Sequence, residues 1–75
     1  MTIAELETIS ALLDLKKDIL IKESVDKDFK IFATNRQDLN LEFFNGKLTA
    51  YNIILVMIDR KIEKIREAAY SREKQ

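Results

Sequence analysis

Seventy-five residues with no Cys, no His, no Pro and a single Gly, and 13 basic residues against 13 acidic ones, leave few routes to stability or to chemistry. A chain this small buries only about 60% of its unfolded surface. The missing Cys and His remove disulfides, thiolate metal sites and the commonest general base, so oligomerisation is the reinforcement that remains, and zero net charge gives no pull toward nucleic acid or an anionic membrane.

Apolar residues make up 47% and charged ones 35%, a balance that favours a folded chain over a disordered one. Met1-Thr2-Ile3-Ala4-Glu5 carries an acid where a secretory signal would be basic. The longest apolar run, Ile53 to Ile58, is far short of the roughly 20 residues of a membrane span. The expectation is a cytoplasmic protein with no membrane partner. A Lys-, Ile- and Asn-rich chain of this size suits a bacterial or bacteriophage accessory protein.

The first predicted helix covers about 3–23. Thr2-Ile3-Ala4-Glu5 reads as a capping box, the Thr2 hydroxyl accepting from the Glu5 amide and the Glu5 carboxylate from the Thr2 amide. Leu6, Ile9, Leu13 and Leu20 set the apolar stripe, widened by Leu12 and Ile19. Lys16 falls inside that stripe, where its stem packs and its ammonium reaches water. Residues 24–34 are expected to form a connector: Phe29, Ile31 and Phe32 half-suggest a strand, but nothing nearby supplies a partner strand.

Thr34-Asn35-Arg36-Gln37 gives a second capping-box pattern and starts a predicted helix over about 35–71, followed by a frayed tail. Leu41, Phe44, Leu48, Tyr51, Leu55, Ile58, Ile62, Ile65 and Ala69 alternate by three and four residues without a slip. That is the repeat of a helix packed along a left-handed seam. Asn45-Gly46 would otherwise signal a turn, but a turn would break the register.

A second row, Leu39, Phe43, Gly46, Ala50, Ile53 and Met57, lies on another face and stops where Arg60 and Lys64 enter. A helix apolar on two faces sits between two neighbours. The first helix can cover one row, so the other is expected to meet a second copy or another protein. Small residues at Gly46 and Ala50 suit a close helix crossing. The oligomer interface is therefore assigned to Leu41, Phe44, Leu48, Tyr51, Leu55, Ile58, Ile62 and Ile65 together with Phe43, Gly46, Ala50, Ile53 and Met57.

Charge is uneven along the chain. Residues 1–28 hold seven acids and four bases, and residues 59–75 six bases and four acids, which suits pairing of those two segments within or between chains.

Catalytic patterns are thin. Thr2, Ser24, Thr34 and Ser71 all fit capping positions, and one glycine cannot build a phosphate loop. Asp14 with Asp18, and Asp59 with Glu63, sit one turn apart and read as solvated faces before metal sites. The basic residues of 60–74 interleave with Asp59, Glu63, Glu67 and Glu73, the pattern of a coiled-coil flank, so a nucleic-acid partner is not expected. No cofactor, no metal and no enzymatic activity are expected.

The sequence thus predicts an all-α fold of one domain, 1–75: a helical hairpin with one short and one long helix, assembling into an oligomeric helical bundle or coiled coil. The expected role is a small protein-interaction module, an adaptor, inhibitor or regulator whose partners are itself and another protein. The alternative is a small-ligand binder, for a nucleotide or metabolite, lined by Arg36, Lys47, Tyr51 and Asn52 between subunits.

Overall fold

The computed structural model describes residues 1–36 and 41–74. Two helices pack side by side, α1 over Ile3–Arg36 and α2 over Leu41–Glu73, of 34 and 33 residues. They run antiparallel, since Glu5 near the start of α1 meets Arg72 near the end of α2, Lys16 meets Asp59, and Asp26 meets Tyr51. The fold is an all-helical hairpin, as the sequence suggested.

The opening of α1 is the capping box read from the sequence: the Thr2 amide donates to Glu5 Oε1 at 2.9 Å and the Glu5 amide to Thr2 Oγ1 at 3.1 Å. The expected connector over 24–34 is a correction. α1 continues through it to Arg36, so Ser24 is mid-helix, and Thr34, Asn35 and Arg36 close α1 without opening α2. The physical reason is plain: 23–33 contains neither Gly nor Pro, and Lys27 supports the helix through a 3.2 Å ion pair to Glu23 one turn earlier. Helix 2 begins at Leu41, later than expected, and the helices are nearly equal in length where a short and a long one were predicted. Gln37 and Leu39 lie outside the described residues, as do the side chains of Thr34, Arg36 and Leu41.

The α2 seam is occupied as its spacing requires. Ile58, Ile62 and Ala69 are buried, and Phe44, Leu48, Tyr51, Leu55 and Ile65 half-buried. Tyr51, Leu55, Ile58, Ile62 and Ile65, expected in an oligomer interface, instead face α1 of the same chain, since a second helix of nearly equal length folds back along them: Ile9 and Ile19 join Ile58 and Ile62 in the core, with Leu12, Tyr51, Leu55 and Ile65 packed against them.

The face that α1 offers differs from the predicted stripe. Leu6, Leu13 and Leu20 are 44–54% exposed. The shielded positions are Glu5, Ile9, Leu12, Lys16, Ile19, Glu23, Asp26 and Lys30, an unbroken alternation of four and three. Five of these eight α1 seam positions are therefore charged.

Two helices make a rod. The described chain measures 60 × 16 × 11 Å with a radius of gyration of 17.3 Å, against about 11 Å for a compact domain of this length. Among the described residues, no side chain is sealed from solvent below 2% exposure. The accessible surface of 5931 Å² exceeds the roughly 4,800 Å² of a compact monomer of the same mass.

Gly46 lies within α2, and Thr49 Oγ1 donates to the Asn45 carbonyl at 2.9 Å, so the helical register carries across the Asn-Gly pair. A Cβ at position 46 would meet nothing within 4 Å. Gly46→Ala is therefore expected to stabilise the chain by about 0.5–1 kcal/mol, because it removes backbone freedom without a clash. Thermal melts followed by circular dichroism, at concentrations low enough to keep the chain monomeric, check this; a lower melting temperature there would mean that a turn interrupts α2.

Candidate functional site

Asp26 is the one buried charged residue among the described positions, 7% exposed. It sits in the α1 seam toward the turn end of the hairpin. Tyr51 Oη donates to Asp26 Oδ2 at 2.6 Å, and Lys47 Nζ lies 3.4 Å from the same oxygen. Lys47 also stands 5.3 Å from the centre of the Phe43 ring, which packs edge-on against Phe44. Nearby, Glu23 Oε1 takes Lys27, while Oε2 is buried with no hydrogen-bond partner among the described residues.

This cluster fixes alignment. A slip of one heptad would carry Asp26 from Tyr51 to Ile58 or Phe44, burying a carboxylate against hydrocarbon. An unpartnered buried charge costs several kcal/mol, so the slipped pairings are excluded more strongly than the native one is stabilised. Lys16 and Asp59, 2.8 Å apart, and Glu5 with Arg72 repeat the same register toward the open end. Lys16 thus reaches water along its stem and finds a partner there.

Electrostatics follow the contacts. The Arg72 guanidinium, helped by the Thr2 amide, holds the Glu5 carboxyl down to about 2 from 4.5. The hydrogen bond to Asp26, with desolvation, raises Tyr51 above the usual phenol value of 10.0. Glu5 gains in its ionised form, so its contribution is complete above about pH 4.5 and lost as pH falls toward 2. Tyr51 gains in its neutral form, so its contribution holds below pH 10 and disappears above the raised value.

Of the residues assigned to a ligand site, Lys47 and Tyr51 converge, but on Asp26, which the sequence reading did not single out. Asn52 is exposed. A ligand at Lys47 and Tyr51 would have to displace the Asp26 carboxylate. Asp59 is engaged by Lys16, and no cluster of three Asp or Glu side chains suited to a metal occurs among the described residues. No described helix is long and apolar enough to cross a membrane.

The second apolar row stands uncovered. Phe43 and Ile53 are each 57% exposed and Met57 62%, with Gly46 and Ala50 between them. Val25, Phe29 and Phe32 of α1 line a shallow apolar groove with Asp28. A second groove runs beside the open end, bordered by Glu5, Met57, Lys61, Lys64 and Ala68. Both grooves are open to solvent.

No protein-family model, curated protein or solved structure matches this chain.

Tyr51→Phe is expected to destabilise the hairpin by about 1–2 kcal/mol, the scale of a hydrogen bond to a charged group, with the loss vanishing above the raised Tyr51 pKa. Denaturant titrations at pH 7 and at steps rising past pH 10 check it, the loss shrinking as pH climbs. Glu5→Gln keeps the capping geometry and removes the ion pair. Melting temperatures from pH 5 to pH 2 should fall less steeply for this variant than for the natural chain, and equal slopes would assign the acid sensitivity elsewhere.

Proposed function

We propose that this chain is a non-catalytic, self-associating protein-interaction module, an adaptor, inhibitor or regulator that works by presenting a helical surface. The observation that carries this reading is the uncovered row Phe43, Gly46, Ala50, Ile53 and Met57, on a rod whose single seam is already filled by its own α1. Exposed apolar surface of this extent on a soluble chain marks a contact site. The pairing of Lys47 and Tyr51 with Asp26 supports a register-setting role for these side chains over the small-ligand reading.

Light scattering across a dilution series, with helicity recorded on the same samples, tests the proposal. The expected result is a dimer or higher species at high concentration, with helicity and melting temperature falling on dilution. A fully helical monomer of unchanged stability at every concentration would overturn the self-association.

A further inference from the structure

Seam residues border two broad faces of the hairpin in alternation. Asp26 of α1 and Tyr51 of α2 border one face, and Lys47 beside them shares it. Lys16 and Asp59 meet toward the other. In heptad register the first face also carries Leu15, Val25, Phe29 and Phe32 of α1. From α2 it carries Phe43, Ile54 and Met57, and these side chains are 39–62% exposed. The opposite face carries Leu6, Leu13, Leu20 and Ile31 of α1 but fewer apolar side chains of α2, Val56 and Tyr70, because Asn45, Asn52, Asp59 and Arg66 border the α2 seam there.

We infer that a second copy of this chain docks on the Phe29–Met57 face, with α1 of each copy lying over α2 of the other and both turns at the same end of an antiparallel four-helix bundle. This rests on the self-association proposed above and names its surface and symmetry. Accessible surface selects the occupant. The hairpin's accessible surface of 5931 Å² exceeds that of a compact monomer by about 1,100 Å², more than the roughly 800 Å² per partner that a standard interface buries. Charge selects the arrangement. On this face α2 presents Lys47, Lys61 and Lys64, whereas α1 presents Asp18, with Asp14 and Asp28 at its edge and Lys22 its one base.

Stacking α2 on α2 would set lysines against lysines. Stacking α1 on α2 sets Asp18 within a lysine's reach of Lys61. With the turns together, Val25, Phe29 and Phe32 of one copy come level with Phe43, Gly46 and Ala50 of the other, and every neighbouring helix pair is antiparallel. Gly46, open on its outer side, adds no bulk where Phe29 arrives.

The test is sedimentation of the full chain across a dilution series, with helicity recorded for each variant. Met57 and Leu13 are 62% and 45% exposed in the hairpin, so glutamate at either leaves the helix pair intact. Met57→Glu is expected to raise the dimer Kd at least about thirtyfold, and Leu13→Glu to change it less than about threefold. Lys61→Glu should weaken association about tenfold over two symmetry-related pairs, and adding Asp18→Lys should restore it.

The chain has no native cysteine, so a spin label at Lys74→Cys reports the symmetry. Labels about 25–30 Å apart place the turns together, and labels about 50 Å apart place them at opposite ends. A natural chain that dimerises while Met57→Glu is neutral, or while Leu13→Glu disrupts, overturns this face, and the long label distance overturns this arrangement. A chain monomeric at all concentrations overturns the self-association itself.

Discussion

Two helices share one seam, and every other property of this molecule follows from that limit. A helix pair can shield one stripe on each member, leaving the rest of both cylinders in water. α1 spends more than half of its stripe on Glu5, Lys16, Glu23, Asp26 and Lys30, so the enclosed apolar core narrows to Ile9, Ile19, Ile58 and Ile62 with their half-buried neighbours. Meanwhile Phe29, Phe32, Phe43, Ile53 and Met57 stand outside. Apolar residues placed outside and charges placed inside make poor sense for an isolated rod. They make better sense for a subunit whose seam sets alignment and whose outer surfaces supply contact area.

The charged seam has a definite physical consequence. Hydrophobic side chains tolerate slippage because one isoleucine substitutes for another at little cost. Asp26 does not, because a slip of one heptad would put Ile58 or Phe44 where Tyr51 now donates. Buried polar groups of this kind stabilise little in net terms while penalising alternatives heavily. The hairpin is thereby aligned more firmly than it is stabilised, which leaves room for association to contribute the remainder.

The α2 seam was legible because its nine positions are all apolar and keep one period from Leu41 to Ala69. That regularity also overruled the Asn45-Gly46 turn signal, and α2 does run through it. α1 was harder to read for a physical reason. Its leucines, isoleucines and phenylalanines are spread around the whole cylinder, so the apolar pattern alone has no dominant face, and the stripe through Leu6, Leu13 and Leu20 lies outside. The usable signal was the four-three spacing of Ile9, Leu12 and Ile19, extended through charged residues to Asp26 and Lys30. Asp26 itself carried no mark in the sequence, since a carboxylate becomes a seam residue only once a tyrosine on another helix lies opposite. Extending α1 to Arg36 required weighing the absence of Gly and Pro above the brief alternation at Phe29 and Ile31.

The surface left by this fold is a broad one, more richly apolar along both helices on one side than on the other. A second copy covering the richer side would thicken the rod without lengthening it. Small-angle X-ray scattering of the natural chain at high concentration tests that claim directly. The account predicts a forward-scattering mass about twice the 8.8 kDa of one chain, with a radius of gyration that stays close to the 17.3 Å of the hairpin. A mass of one chain at every concentration, or a doubled mass with a markedly longer particle, would contradict it.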